Sequence, residues 1–302
     1  MIDTVTGKIP LQELGRTLIH EHMICTGAEF RSSFSSWLPE ETVICIAAAK
    51  LKYVAEKFGV RTVIDGTPLV LGRDLELLKK ISLRSGVQIA ASTGFYFYDS
   101  FSLLHLPVET LARFILEEIR NGSIKPAMFK CAADRYGITP AVEKALKVAA
   151  AVHKESGIPV YCHSHPATRS GIAAQQILEE NGVAPGKTVI GHVSDGNDPS
   201  YALELLKKGC YVSIDRIHPH NAAFAAELVN AGFSKRIFLS HDHICCYDSI
   251  MNDPPVSQKE PHGLDVVHSK IIPEMLQMGV TPETAEEIMT GNIIELYKGQ
   301  TP

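Results

Sequence analysis

Residues 127–134 read AMFKCAAD, a short apolar run that is typical of a strand buried on both faces of a parallel sheet. Helical-period segments at 107–121 and 140–156 flank this run, and another apolar run follows at 159–164. Strand, helix and strand in this order predict a βαβ unit, in which the two strands are parallel and the helix covers the sheet. Lys130 is unusual within the run because an ammonium group is rarely buried without a partner.

The same alternation of strand and helix extends over most of the 302 residues. Eight apolar runs predict strands at 16–23, 60–67, 87–94, 127–134, 159–164, 188–194, 211–216 and 236–242. Helical periodicity predicts helices at 40–58, 73–85, 107–121, 140–156, 170–181, 200–208, 220–231, 265–278 and 282–297. This pattern, without a linker or a change in composition, predicts an α/β fold in which one (β/α)8 TIM barrel spans residues 1–302. An open doubly wound sheet is the alternative, but no GxGxxG motif follows the first strand.

The composition and charge argue against several classes of partner. The formal net charge is -5 and the basic residues form no runs, so we expect neither nucleic acid nor an acidic membrane surface as a partner. No apolar stretch has the length of a membrane span, and the N-terminus lacks the pattern of a signal peptide. The seven cysteines form no CxxC motif and lie at irregular spacings, which is typical of reduced thiols. We therefore expect a cytoplasmic protein.

Polar residues lie at or near the ends of seven of the eight predicted strands. They are His20, His22, Asp65, Lys130, His163, His192, Arg216 and Asp242. The C-terminal ends of the strands are where (β/α)8 enzymes place their active sites. Packing alone does not explain so regular a pattern, which therefore predicts a functional site at this end of the barrel.

His20 and His22 are two residues apart in the first strand. Their side chains therefore point to the same face, with Glu21 directed outward. Two imidazoles that converge at the mouth of a barrel form a metal chelate. The alternative is a pair of core histidines satisfied by hydrogen bonds. For this motif at the end of a first barrel strand, we prefer the metal site.

His163, His192 and Asp242 extend this candidate metal site. His163 and His192 end the fifth and sixth strands, and Asp242 ends the eighth. A neutral imidazole is the commonest protein ligand for a metal. A carboxylate can bind a divalent ion or accept a proton from bound water. Histidine and aspartate ligands without cysteine suit zinc, cobalt, manganese or iron.

Lys130 can join such a site after reaction with carbon dioxide. Desolvation and nearby cations lower the pKa of an ammonium group, and the neutral amine reacts with carbon dioxide to give a carbamate. The carbamate is anionic and offers two oxygens, so it can bridge two metal ions. The alternatives are a lysine that extends along apolar surface to the rim, or one that pairs with Asp134. The residues alone leave these interpretations open.

At these motifs the sequence resembles the phosphotriesterase family of the amidohydrolase superfamily, and within it the phosphotriesterase-like lactonases. The resemblance covers nearly the whole chain, and the order and spacing of its motifs are specific. The motifs are HEH at 20–22, GRD at 72–74, KCAAD at 130–134, GIT at 137–139, CHSHPATRSG at 162–171, IGH at 190–192, IDR at 214–216 and SHD at 240–242.

The resemblance implies a centre with two divalent metal ions, for which we expect zinc, with cobalt, manganese or iron as alternatives. The implied ligands are His20, His22 and Asp242 for the more buried ion, and His163 and His192 for the more exposed one. Carboxylated Lys130 would bridge both ions together with a hydroxide. His165 lies on the same face as His163, but the family's spacing to Arg169 and Gly171 selects His163.

The resemblance also implies a hydrolase that opens a lactone by attack of the bridging hydroxide. Asp242 would accept the proton, Tyr98 would lie near the substrate carbonyl, and Arg216 would support the pocket. Tyr98 can instead be one member of an aromatic lid. Hydrolysis of phosphotriesters, carboxylesters or amides is the alternative, and a barrel that binds a ligand without catalysis is a remote one. A homodimer is also implied, and the stretch 37–49 is either part of its interface or the inward face of the first helix.

The loops after the last two strands bear on the substrate. In lactonases that this chain resembles, a longer apolar loop at this place holds an acyl tail, so the short loop after Arg216 argues against long-chain N-acyl-homoserine lactones. The loop after Asp242 is long and of mixed polarity, and we expect a small or polar lactone, such as a phosphorylated sugar lactone. Four basic side chains could bind a substrate anion or could instead form a solvated rim: Arg31, Arg169, Lys259 and His262.

Overall fold

The computed structural model describes residues 1–34, 36–247 and 263–299. An antiparallel hairpin of β1 (Ile2–Thr4) and β2 (Gly7–Ile9), which the sequence does not predict, precedes the barrel. All eight predicted strands are present and parallel to their neighbours: β3 (Arg16–His22), β4 (Val60–Asp65), β5 (Gln88–Gly94), β6 (Met128–Ala133), β7 (Val160–Ser164), β8 (Thr188–Gly191), β9 (Tyr211–Ile214) and β10 (Ile237–Leu239). The predicted (β/α)8 TIM barrel is confirmed.

The eighth strand closes the barrel by changing its partner part-way along its length. Its first part, β10, pairs with β9, and Ser240 N donates to Ile214 O at 3.1 Å. Shortly after, β11 (His243–Ile244) pairs with β3, and Asp242 N donates to His20 O at 3.0 Å. The strand order β10-β9-β8-β7-β6-β5-β4-β3-β11 therefore begins and ends in the same segment of chain. Asp242 lies where the partner changes.

Helices follow the strands and cover the outside of the barrel. The predicted helices are found at Glu40–Phe58, Leu75–Ser85, Val108–Asn121, Pro140–Ser156, Ser170–Glu180, Pro199–Lys207, Asn221–Leu228 and Pro282–Tyr297, and the helix predicted at 265–278 is formed by Val267–Ile271 and Ile272–Gln277. Two short helices, Ala28–Ser33 and Phe101–His105, are not predicted by the sequence. The helix Pro140–Ser156 begins at a cap that the sequence shows, because the Thr139 side chain accepts a hydrogen bond from Val142 N.

The barrel interior is filled by apolar side chains below the polar strand ends. Met128 and Val189 pack together inside it, and Tyr297 of the last helix joins this cluster. Phe129 belongs to the outer cluster between the strands and the helices. Because strand residues alternate between the two faces, Lys130 points inward like Met128. The lysine therefore lies inside the barrel, directly above its apolar filling.

The helix Glu40–Phe58 uses the apolar part of the stretch 37–49 to cover its own barrel, since Val43 and Ile44 are buried. The stretch 37–49 therefore contributes to the inward face of the first helix, which is one of its two interpretations. The homodimer stays a prediction. In the three ranges that the structure describes, each helix is too short or too polar to span a membrane. The cytoplasmic location and the assignment of 1–302 to one domain also stay predictions.

Candidate metal centre

The strand-end histidines and aspartate converge in one cluster. One nitrogen each of His20 and His192 and one oxygen of Asp242 all lie within 4.8 Å of one another. His22 joins this group through its Nε2, 3.2 Å from Asp242 Oδ1. His163 joins it through its Nδ1, 2.7 Å from His192 Nε2. Imidazole nitrogens and a carboxylate at such separations fit a divalent metal ion.

Lys130 points into the same cluster from β6 and is 1% exposed. Its Nζ lies 2.5 Å from His20 Nε2 and 4.4 Å from the centre of the Tyr161 ring. The amine therefore does not extend to the rim. Asp134, the alternative partner, bonds to His163 at 3.0 Å, and the described residues show no bond between it and Lys130. The amine thus lies within the cluster.

The surroundings of Lys130 favour its neutral amine. Burial lowers the pKa of Lys130 to about 8, although Asp242 and Asp215 oppose this shift. Roughly a tenth of such amines are neutral at pH 7, against fewer than one in a thousand for an exposed lysine. Since the neutral amine is the form that reacts with carbon dioxide, Lys130 fits a carbamate.

Asp215, to which the sequence analysis gives no role, is the acceptor that orients two of the histidines. Its Oδ2 lies 2.8 Å from His20 Nδ1, and its Oδ1 lies 2.8 Å from His192 Nδ1. The carboxylate is fully buried, and the Tyr161 hydroxyl also donates to it. Burial alone would raise the pKa of Asp215, but His192 and His20 hold it well below its usual range. The ionised Asp215 accepts Nδ1–H from both rings, which leaves each Nε2 lone pair for a metal.

His22 and His163 are oriented by other partners. His22 Nδ1 lies 2.8 Å from Thr67 Oγ1, and that hydroxyl donates its own hydrogen to Ile24 O, so His22 Nδ1 is the donor. His163 Nε2 donates to Asp134 Oδ2 at 3.0 Å. These bonds leave Nε2 of His22 and Nδ1 of His163 for the cluster. Burial lowers the pKa of His163 to about 3, so this ring is neutral at pH 7, as a ligand must be.

Two residues of the cluster have a left-handed backbone. His192 has φ 62° and Asp242 has φ 53°, which are unfavourable values for residues that carry a Cβ. His192 N donates to Asp215 Oδ1 at 2.8 Å, and Asp242 N donates to His20 O at 3.0 Å. Such conformations cost about 1–3 kcal/mol each and are concentrated at functional sites, where surrounding contacts hold them.

Asp242 and Arg216, two of the predicted catalytic residues, are in contact. Arg216 Nε lies 3.2 Å from Asp242 Oδ2, and Arg216 Nη1 lies 2.6 Å from Asp195 Oδ2. Burial alone would raise the pKa of Asp242, but His20 and His192 hold it well below its usual range. Asp242 and Arg216 both line a cavity of about 450 Å³. A carboxylate and a guanidinium thus face the same cavity.

The structure places Tyr96, and not Tyr98, against the cluster. Tyr96 Oη lies 3.5 Å from His163 Nδ1, and burial raises the pKa of this hydroxyl. Tyr98 is 53% exposed, and its ring packs on the rings of Tyr96 and Phe97. Tyr98 thus lies in the aromatic cluster that is its alternative position, and its catalytic role stays a prediction. Strand β5 ends at Gly94, which has φ 111°, so the alternation of strand positions does not continue into the aromatic run.

The basic residues that could bind a substrate anion are already paired where the structure describes them. Arg31 Nη2 lies 2.8 Å from Asp74 Oδ2, and Arg169 bonds to Glu204. These contacts agree with the alternative of a rim whose charges are balanced locally. The other two candidates, Lys259 and His262, lie outside the described residues.

Other polar residues near the cluster point away from it. His165 Nδ1 lies 3.2 Å from Thr168 Oγ1, so this side chain does not compete with His163. His241 and His243 are directed into the outer layer, as strand alternation predicts. Asp65, although it ends a strand, accepts two backbone N–H groups and supports the following loop.

Comparison with known proteins identifies the family. The model of the phosphotriesterase family matches residues 1–296. The chain belongs to the phosphotriesterase family. A phosphotriesterase homology protein of Mycobacterium tuberculosis is 30% identical over 99% of this chain and 98% of that protein. An aryldialkylphosphatase of Saccharolobus solfataricus is 31% identical over 94% of this chain and 95% of that protein, and an N-acetyltaurine hydrolase of Xenopus tropicalis is 24% identical over 96% of each.

As a member of the phosphotriesterase family, the protein is a metal-dependent hydrolase. The family depends on a binuclear metal centre, and the group of His20, His192 and Asp242 fits a metal site. Family membership indicates a small-molecule ester or phosphate as the class of substrate.

We expect Asp215→Asn to weaken metal binding by about 10- to 100-fold, the usual effect of losing a carboxylate that orients a metal-bound histidine. An amide accepts only through its oxygen, so it cannot take the Nδ1–H of both His20 and His192. Competition with a chelator measures the affinity. Asp195→Asn is the control, because Asp195 bonds to Arg216 and not to a histidine of the cluster. Equal affinities in the wild type and Asp215→Asn would contradict this role.

Proposed function

We propose that the protein hydrolyses lactones at a binuclear metal centre. The convergence of six strand-end side chains, with the histidine rings oriented by partners outside the cluster, carries this proposal. The proposed ligands are His20, His22 and Asp242 for one ion, His163 and His192 for the other, and carboxylated Lys130 for both. Zinc is the expected metal, with cobalt, manganese or iron as alternatives. When bound, two such ions activate a water molecule as the nucleophile and polarise the carbonyl oxygen of the substrate.

The side chains of the protein would orient the substrate and move its proton. Asp242 is partly buried and ionised, so it can accept the proton that the nucleophile releases. Arg216 holds this carboxylate through its Nε and forms part of the pocket wall. The Tyr96 hydroxyl is protonated at neutral pH, as tyrosines ordinarily are, and burial raises its pKa further. It can therefore donate a hydrogen bond to the carbonyl oxygen as negative charge develops there.

The cavities beside the cluster favour a substrate with an apolar substituent. A cavity of about 880 Å³ lies between the loops that follow β3, β4, β5 and β11, and its lining includes Leu69, Leu71, Tyr98 and Ile244. Ile244 also lines the cavity that Asp242 lines. Arg31 and Arg169 both have carboxylate partners. A lactone with an alkyl or aryl group would fit this cavity, and the small or polar lactone, such as a phosphorylated sugar lactone, is the alternative.

Hydrolysis of phosphotriesters is the second candidate. The relative from Saccharolobus solfataricus bears the name aryldialkylphosphatase, and the apolar cavity could equally receive an alkyl or aryl group of a phosphotriester. Hydrolysis of an amide is a weaker candidate, since the N-acetyltaurine hydrolase is only 24% identical. The same proposed centre would serve each of these reactions, because all of them use the same activated water as nucleophile and differ only in the group that it attacks.

A panel of substrates tests the proposal. The protein would be prepared with zinc or cobalt, and acid release would be followed with a pH indicator. The panel contains γ- and δ-lactones with and without alkyl groups, sugar lactones with and without phosphate, acyl-homoserine lactones, a phosphotriester and an N-acetyl amide. We expect turnover of alkyl-substituted lactones that chelation abolishes. Metal-loaded protein that cleaves only the phosphotriester would replace the lactone by the second candidate.

Tyr96→Phe should lower kcat by up to about 10²-fold, the lower end of the loss on removing one donor to a developing oxyanion. Tyr98→Phe is the matched control, because it deletes the same hydroxyl from a ring that is 53% exposed and lies behind Tyr96. Its kcat should stay at the wild-type value. Steady-state kinetics on the best lactone measure both variants. The reverse order of effects would return the role to Tyr98.

A further inference from the structure

Glu21 is a buried carboxylate that the proposed mechanism does not use. It lies in β3 between His20 and His22, which face the cluster. Its own side chain points the other way, into the layer between the barrel and the helices, and is 0% exposed. The sequence predicts this outward direction. The structure adds that the carboxylate is completely removed from solvent. A buried carboxylate needs several hydrogen-bond donors to offset its lost hydration.

Among the described residues, the donors to Glu21 come from one short segment of the eighth strand. Glu21 Oε1 accepts from Ser240 Oγ at 2.7 Å, from His241 N at 3.0 Å and from His241 Nδ1 at 2.7 Å. Glu21 Oε2 accepts from His243 N at 2.9 Å. A carboxylate has lone pairs for four such bonds and donates none, so it matches a set made only of donors.

The segment that Glu21 binds is the one in which the chain changes from β9 to β3. Asp242 lies in its middle with φ 53°, a conformation that a residue with a Cβ adopts only when its neighbours hold it. Asp242 N bonds to the backbone of β3, at His20 O. The amides on either side, of His241 and His243, bond to the Glu21 carboxylate instead of to a strand.

We infer that Glu21 is a positioning residue that sets Asp242 against His20 and His22. Glu21 thereby fixes the eighth strand from one face of β3. His20 and His22, on the opposite face, are proposed to bind the same metal ion as Asp242. This inference rests on the proposed metal centre, but not on the identity of the substrate. Glu21→Gln keeps the size of the side chain and replaces one acceptor by an NH₂ group, which would meet N–H or O–H donors.

Glu21→Gln should weaken the binding of zinc by about 10- to 100-fold, as expected when a residue that orients a ligand is lost. It should also lower kcat at saturating zinc more than it changes KM, because Asp242 would no longer hold its place. Glu118→Gln is the control: its carboxylate bonds to Arg73 and Thr93 and does not touch the eighth strand. Zinc affinity from chelator competition, kcat, KM and the melting temperature of the metal-free protein are measured for both.

Two results would overturn the inference. One is a Glu21→Gln protein with a lower melting temperature but wild-type zinc affinity and kcat, which is the pattern of a merely stabilising residue. If Glu21→Gln does not fold, Ser240→Ala takes its place, because it removes one donor and keeps the carboxylate. An unchanged zinc affinity of Ser240→Ala is then the second result that would overturn the inference. Weakened zinc binding in a protein that cleaves phosphotriesters and no lactone would support the role of Glu21 and refute the lactone proposal.

Discussion

Asp242→Asn is expected to lower kcat by about 10²–10⁴-fold, the usual contribution of a positioned group that accepts a proton. His20 and His192 keep the wild-type carboxyl ionised, so it can take a proton at neutral pH. An amide cannot, although it has the same shape. The effect on KM should be smaller, because the cavity and Arg216 remain. Steady-state kinetics on the best lactone, with metal content measured in the same samples, give both quantities.

Asp195→Asn is the matched control for this variant. Asp195 is also an aspartate of the site and also bonds to Arg216. It bonds to no histidine of the cluster, so Arg216 stands between it and Asp242. We expect a much smaller loss of kcat, since this carboxylate can only influence Asp242 through the guanidinium. An Asp242→Asn protein with full metal content and the wild-type kcat would remove Asp242 from the proton-transfer step.

Lys130→Ala should abolish activity because the protein would lose most of its bound metal. The wild-type amine is 1% exposed, lies 2.5 Å from His20 Nε2 and has a pKa lowered to about 8 by burial. As a carbamate it would supply two anionic oxygens to the ions. A short carboxylic acid, such as propionate, could enter the space left by the side chain. We expect added carboxylic acid to restore part of the metal content and of the activity.

Lys50→Ala separates the loss of a buried amine from the loss of a ligand. Lys50 is 3% exposed, and its Nζ bonds to His243 Nε2 at 2.8 Å, on the outer side of the barrel. This variant should keep more metal than Lys130→Ala and gain nothing from added carboxylic acid. Intact-mass measurement under gentle conditions should show the added carbon dioxide on the wild type. A bare ammonium at position 130 in metal-loaded protein would refute the carbamate.

The fold could be predicted because its signals are local. Each barrel strand is an apolar run and each covering helix has an apolar face, so periodicity and punctuation by glycine and proline place them within a few residues. The hairpin of β1 and β2 and the short helix Phe101–His105 are too short to have a period, and the sequence does not predict them.

The direction of the site residues could also be predicted within the strands. Lys130 and His22 point into the barrel because two-residue alternation within a regular strand fixes the face of each side chain. The same rule does not reach Tyr96 and Tyr98, because β5 ends at Gly94. Beyond the end of a strand, the backbone no longer alternates, and only the packed loop decided that Tyr96 faces His163.

The sequence by itself determined that this chain forms an eight-stranded barrel with histidines, a lysine and an aspartate at the strand ends. Only the tertiary structure decided which groups hold them in place. Asp215 reaches His20 from the seventh strand and Glu21 reaches His243 from the first, although these partners are far apart in the chain. Apolar periodicity is a property of neighbouring residues and can be read along the sequence. A hydrogen bond between strands depends on which strands lie side by side and on the register that closes the barrel, and these exist only in the folded protein.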